Sequence, residues 1–292
     1  MRVFRAAHAQ LAECPVWMPD GRLIWVDALA GEVHASGLAA APGQDQVCSY
    51  GGIVGSVTPA ADGTLVIGLG TQAWLTDAAG TLVRLLAEIG HCHPGHHLND
   101  ASADPHGRLV IGSVNDRDAG RTAGLFQLTG GGYRKLRGDM RLSNGLDWTP
   151  DGSTLYFTDS LDQLIFAADY HEDGSFTGER VFARVADGLP DGLAVDADGC
   201  VWSAVWGAGR IDRYAPDGTI TGRITVPAPQ VTSLAFGGDN LTTLFITTAR
   251  DGLSAQELAS APESGSVFMA AASVPGQPVR LIDPAHLPLP PI

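Results

Sequence analysis

The chain reads as an all-β protein, a six-bladed β-propeller with four-stranded blades. Two observations predict this. Short apolar runs alternate with Gly, Asp and Pro turns along nearly the whole length, with little helical periodicity. The turns also recur: positions 20, 62, 106, 151, 198 and 239 are separated by 42, 44, 45, 47 and 41 residues. Repeats of this length suit four short strands each, and a ring of such units protects its own sheet edges.

The repeats can be followed in order. Pro19-Asp20-Gly21 precedes Leu-Ile-Trp-Val at 23–26, and Ala61-Asp62-Gly63 precedes Leu-Val-Ile at 65–67. Pro105-His106-Gly107 leads into Leu-Val-Ile at 109–111, and Pro150-Asp151-Gly152 into Leu-Tyr-Phe at 155–157. Ala197-Asp198-Gly199 then precedes Cys-Val-Trp at 200–202, and Gly238-Asp239-Asn240 precedes Leu-Phe-Ile at 244–246. Asp-Gly between apolar runs signals a hairpin, because Gly accepts the positive φ that such turns require. Residues 2–7 are expected to supply the missing outer strand of the last blade. The whole chain, 1–292, is read as one domain, with the proline-rich stretch Pro284 to Ile292 as an extended tail. An irregular two-domain β protein is the alternative.

Composition narrows the function. The chain has 292 residues, 45% of them hydrophobic, so a sizeable core needs no disulfide staple. Acidic residues outnumber basic ones by 32 to 18, for a formal charge of −14, and Lys135 is the single lysine. Such a surface repels phosphate backbones, which excludes nucleic acid as a partner, and it suits anionic membranes poorly. No run approaches the length of a membrane span, and residues 1–10 do not resemble a signal peptide. Cys14, Cys48, Cys92 and Cys200 form no C-x-x-C pair and read as free thiols. The expectation is a cytoplasmic protein, monomeric or weakly self-associating.

Superposing the repeats points to a site. Seven residues before each turn position stand Glu13, Gly55, Asn99, Asn144, Asp191 and Thr232. In a propeller, equivalent blade positions ring the central axis. Two carboxylates and two carboxamides in one ring invite a hard divalent cation. The competing reading is local, since Asn and Asp before turns often cap their own backbone.

Several segments resemble the gluconolactonase/regucalcin (senescence marker protein) family of six-bladed propellers. They are Ala12-Glu13-Cys14-Pro15-Val16-Trp17, Leu98-Asn99-Asp100, Ser143-Asn144-Gly145-Leu146 and Pro190-Asp191-Gly192-Leu193. The stretch 150–160, Ala204-Val205-Trp206-Gly207 and the late 247–253 segment extend the likeness over residues 12–270. The late segment looks more like the bacterial sugar lactonases than the animal regucalcins. The resemblance implies hydrolysis of a sugar lactone, with Glu13, Asn144 and Asp191 holding one divalent ion (Ca, Mn, Zn, Mg or Fe(II)). Asn99 would contact substrate or a bound water. Where the family often has Arg, two residues before this Asn, the chain has His97, which would alter the preferred sugar. Asp191 is the candidate general base, and a water activated by the cation itself is the alternative. Cys14 is expected to point away from Glu13 by strand alternation.

Other features compete. His91-Cys92-His93-Pro94-Gly95-His96-His97 offers metal-binding side chains, but on a turn and without a standard zinc spacing. It is read as a loop, with His96 or His97 as substrate contacts. Alternation puts His97 on the same side as Asn99. The pair Asn115-Asp116 is a further candidate for sugar hydroxyls, against an ordinary surface loop, and Trp206 is a candidate for the mouth of the site. No Gly-x-Ser-x-Gly elbow supports a serine nucleophile. A metal-dependent aryl-ester or organophosphate hydrolase and a non-enzymatic calcium-binding propeller are the alternative functions, since fold alone does not fix activity.

Overall fold

The computed structural model describes residues 1–40, 43–89, 95–117 and 120–289. Six four-stranded antiparallel sheets form a ring of blades. Each blade begins with an inner strand: Ala12–Trp17, Val54–Pro59, His96–Ala103, Ser143–Trp148, Leu189–Val195 and Val231–Gly237. The chain then steps outward by hairpins. The predicted turns are of the required kind: Gly21, Gly63, Gly107, Gly152 and Gly199 all have φ between 73° and 86°. Asx bonds rigidify them, as where Asp62 Oδ1 accepts from the Thr64 amide at 3.0 Å.

The second strands are rich in apolar residues and largely buried, because neighbouring blades cover both faces. Leu109–Asn115, for example, is buried along its whole length. Outer strands such as Gly132–Met140 are largely accessible instead. The core is accordingly divided among the blade interfaces. Trp148, Leu155 and Phe157 of the fourth blade pack on Val110 and Leu125 of the third. Leu193 and Val201 of the fifth meet Tyr156 and Ile165 of the fourth.

Closure uses both ends of the sequence. Arg2–Arg5 pairs antiparallel with Val267–Ala271, completing the last blade as expected. Trp17 of the first blade stacks on Phe245 of the sixth, ring centroids 5.1 Å apart. Ring closure leaves no long unpaired inner edge, which removes a route to edge-to-edge association.

The C-terminal stretch departs from the sequence reading. As far as Leu287 it is a packed strap and no tail. Gly276 bridges Asp196, and Ile282 pairs parallel with Ala60. Gln277 Nε2 donates to the carbonyls of Trp148 (2.9 Å) and Val195 (3.1 Å). Arg280 meets Asp147 at 2.7 Å. Pro284–His286 makes a 3-10 turn under an Asp283 cap, and Leu287 is buried beside Ile282. Prolines suggest extension, but burying Ile282 and Leu287 on the second and third blades outweighs it. Residues 277–280 of this strap line a cavity with Cys14, Asp100, Asp147 and Ser233, at the end where the inner strands finish. The other end, where they start, is open.

Candidate active site

All six inner strands share an irregularity that the sequence did not announce. Their pairing with the second strand shifts register between Glu13 and Val16, Val54 and Ser56, Leu98 and Ala101, Ser143 and Leu146, Pro190 and Leu193, and Val231 and Ser233. Each shift falls at or beside the position found by the seven-residue offset. A bulge bends its strand and re-aims the side chain there, and at four of the six positions, Glu13, Asn99, Asn144 and Asp191, the side chain faces one cavity, while Thr232 Oγ1 donates to the Ala12 carbonyl instead. In the first blade Cys14 takes φ 46°, a conformation unusual for a side-chain-bearing residue. Its Sγ turns to the Val57 carbonyl at 3.6 Å, away from Glu13. Cys14 does face away as expected, but through this kink and not through simple alternation.

The open mouth leads to a cavity of about 280 Å³ lined by Glu13, His97, Asn99, Asn144 and Asp191 together. That volume lies at the small end of ligand sites. Leu29, Ile53, Leu142, Leu189 and Trp206 supply apolar walls, and Ser160, Asp116 and Asp251 add polar groups. Gly55 occupies the second blade's ring position. A Cβ there would collide with the Leu98 carbonyl, so the absent side chain lets two inner strands meet.

The electrostatics are unbalanced. Glu13 and Asp191 are 6% and 5% exposed. Burial first pushes both carboxyls well above the ordinary range, followed for Glu13 by repulsion from Asp191 and then Asp100, and for Asp191 by repulsion from Asp100. Asp100, one residue past Asn99, is raised to about 7 by burial. Asn144 Nδ2 donates to Ser160 Oγ at 3.3 Å, while its Oδ1 is buried without a hydrogen-bond partner. Asp191 Oδ1 is in the same condition. Orphaned buried oxygens normally carry a penalty of about 1–3 kcal/mol each. With Glu13 beside them, these two oxygens are of the chemical type that hard cations take as donors. Among the described residues no three His, Cys, Asp or Glu side chains are grouped closely enough to hold a metal ion by themselves; the set here is two carboxylates and a carboxamide.

Around this set the remaining polar groups are fixed. Asn99 Nδ2 donates to the Ser143 carbonyl at 3.0 Å, across a blade boundary. His97 has an acceptor at each ring nitrogen, the Leu98 carbonyl at 2.8 Å from Nδ1 and Asp116 Oδ2 at 2.9 Å from Nε2. Two acceptors call for two N–H groups, which is the imidazolium. Burial works to lower the His97 pKa, but the Asp116 and Leu98 contacts outweigh it, and the net shift is upward.

Asn115 is not brought into the cavity. Its Nδ2 donates to Thr122 Oγ1 at 3.3 Å and its Oδ1 accepts from the Arg117 amide at 3.1 Å, so it organises the following loop. Strand alternation is the reason: Val114 and Asp116 face the cavity and the residue between them faces away. Of the pair Asn115-Asp116, it is therefore Asp116 that faces the cavity. Asp251 lies beyond the sixth blade's second strand, where no repeat offset reaches. His96 is buried against Thr122 Oγ1 at 2.9 Å, and His91, Cys92 and His93 lie outside the described residues. Trp206 lines the mouth, as anticipated.

Known proteins share this architecture. A 6-deoxy-6-sulfogluconolactonase of Pseudomonas putida is 36% identical over 91% of this chain and 92% of its own. An L-arabinolactonase of Azospirillum brasilense is 37% identical over 70% of each chain. The crystal structure of regucalcin from Agrobacterium tumefaciens, described as a calcium-binding protein, superposes with a TM-score of 0.90 at 30% identity, covering 96% of both chains. Residues 11–250 match the family model of the SMP-30/gluconolactonase/LRE-like region, and the chain belongs to that family.

Proposed function

We propose that this protein is a carboxylic-ester hydrolase that opens a sugar lactone, a pentono- or hexonolactone, to the aldonic acid with the help of one divalent cation. The observation that carries the reading is the pair of buried, unpartnered oxygens, Asn144 Oδ1 and Asp191 Oδ1, lining one small cavity with Glu13. Glu13, Asn144 and Asp191 would hold the ion. When bound, such an ion polarises a carbonyl and acidifies water.

The chain's own residues account for the rest. Asp191 accepts the proton of the attacking water as its oxygen adds to the lactone carbonyl carbon. The ring C–O bond then breaks, and the proton passes to the departing ring oxygen, which becomes the new hydroxyl. Asn99, tethered through its Nδ2, presents its Oδ1 to the substrate. His97 and Asp116 face the sugar hydroxyls, and Leu29, Ile53, Leu189 and Trp206 pack its C–H edges and exclude water.

The test is acid release from a panel of aldonolactones after EDTA treatment and after adding back Ca, Mg, Mn, Zn or Fe(II), with spontaneous opening subtracted. Hydrolysis should disappear with chelation, return with one or more ions, and fall at least about 100-fold in Asp191→Ala and Asn144→Ala. Metal binding without turnover of any lactone would leave a calcium-binding propeller instead. An Asp191→Ala variant with most of its activity would remove Asp191 as the base.

A further inference from the structure

Directly behind the ring of Glu13, Gly55, Asn99, Asn144, Asp191 and Thr232 comes a second one, made of Cys14, Ser56, Asp100, Gly145, Gly192 and Ser233. Asn99 faces the mouth, but Asp100 lines the cavity at the far end, with Cys14, Ser102 and Ser233. That cavity has a volume of about 130 Å³, room for several waters. Gly192 keeps the space beside Ser233 open, since a Cβ there would run into the Ser233 Oγ.

Asp100 is the unbalanced group of this cavity. It is 7% exposed, and no hydrogen bond or ion pair to its carboxylate is found among the described residues. The other charged groups that line the cavity, Asp147 and Arg280, satisfy each other. Arg280 donates to Asp147 Oδ1 at 2.7 Å, to Gln277 Oε1 at 2.7 Å and to the Thr149 carbonyl at 3.1 Å. Asp147 Oδ2 accepts from the Val195 amide at 2.8 Å. Glu13 and Asp191 face the mouth cavity and bring further negative charge, with no cation to spare. Even a divalent ion between those two would leave one negative charge among the three carboxylates. A buried carboxylate is stable only when it is paired, holds a cation or takes up a proton. The Ser102 and Ser233 hydroxyls also have no hydrogen-bond partner among the described residues.

We propose that the far cavity binds one monovalent alkali cation, K⁺ or Na⁺, between the Asp100 carboxylate and the Ser233 hydroxyl, with Ser102 and water completing an oxygen shell. One unmatched charge suits a monovalent ion better than a second divalent one. Asp100 belongs to the third blade and Ser233 to the sixth. These blades stand opposite each other in a ring of six, so the ion would tie the propeller together across its axis. The inference is independent of the lactonase reading.

The test is thermal unfolding of the full chain at constant ionic strength and constant divalent-ion concentration, with choline chloride replaced stepwise by KCl or NaCl. Wild-type Tm should rise by about 2–4 °C at saturation. The rise should vanish in Asp100→Asn and shrink in Ser233→Ala. Crystals soaked in rubidium or thallium(I) should show an anomalous peak beside Asp100, a readout that survives if Asp100→Asn does not fold. A flat wild-type Tm, or an equal rise in wild type and Asp100→Asn, would overturn the inference. So would a cavity that holds only water in the soaked crystals, or one that takes calcium and no alkali ion.

Discussion

Substituting Gly145 by Ala tests whether the site depends on inner strands held at closest approach. A Cβ at Gly145 would lie 2.7 Å from the Asp191 carbonyl oxygen and from the Gly192 carbonyl carbon, and closer still to the Leu193 nitrogen. All three are backbone atoms, so no rotamer change relieves the collision, and one strand must move by roughly 1 Å to restore ordinary contact. The strand that carries Asn144 would then part from the strand that carries Asp191. Over-packing of this kind costs about 1–3 kcal/mol, which for a chain of this size lowers Tm by about 2–6 °C. Catalysis should suffer more, since a misplacement of about 1 Å can cost about 100-fold in rate. Gly130→Ala is the control. A Cβ there meets nothing within 4 Å and its φ is not positive, so its stability should stay within about 1 kcal/mol of wild type. The assays are thermal unfolding and initial rates on the best lactone. Wild-type melting and wild-type rate in Gly145→Ala would refute the close-approach argument.

Two further outcomes follow from the charges. Arg280→Met should destabilise the protein by about 2–3 kcal/mol at pH 7, because it leaves Asp147 without its cation; burial already raises that carboxyl, and Arg280 is the largest influence opposing it. A melting temperature equal to wild type would show that the pair does not hold the strap. For His97 the folded pKa is raised, so its pairing with Asp116 stabilises fully below about pH 6.5, the ordinary value, and is lost as pH rises through the folded value. Asp116→Asn should therefore lower the His97 titration seen by NMR. It should cost at most about 1 kcal/mol at pH 6 and nothing at pH 9, because Asp116 is half exposed. An unmoved His97 titration would separate the two residues.

Much of this molecule is legible in the spacing of its turns. Asp20-Gly21 and its counterparts recur because each blade needs a tight reversal before a fully buried strand, and that need is local. The same regularity explains why four of the six positions reached by counting back seven residues line one cavity, since equivalent positions on repeated units are equivalent in space. Asn115 was misjudged through a missed alternation, and residues 284–287 of the proline-rich end through its prolines. The strap is held by Asp147, Trp148 and Val195, more than eighty residues away in sequence, and no local pattern signals such partners.

Sequence by itself determined the number of blades, their strand order and the ring of Glu13, Asn99, Asn144 and Asp191, because hairpin chemistry and period-two burial act over a few residues. Tertiary structure alone decided the rest. Bulges aim the ring inward only when neighbouring blades press on glycines such as Gly55, Gly145 and Gly192. The joining of His97 to Asp116, the placing of Asp251 at the mouth and the docking of residues 276–287 on the blades all depend on ring closure. They are contacts between segments distant in sequence, whose energies exist only once the six blades have met.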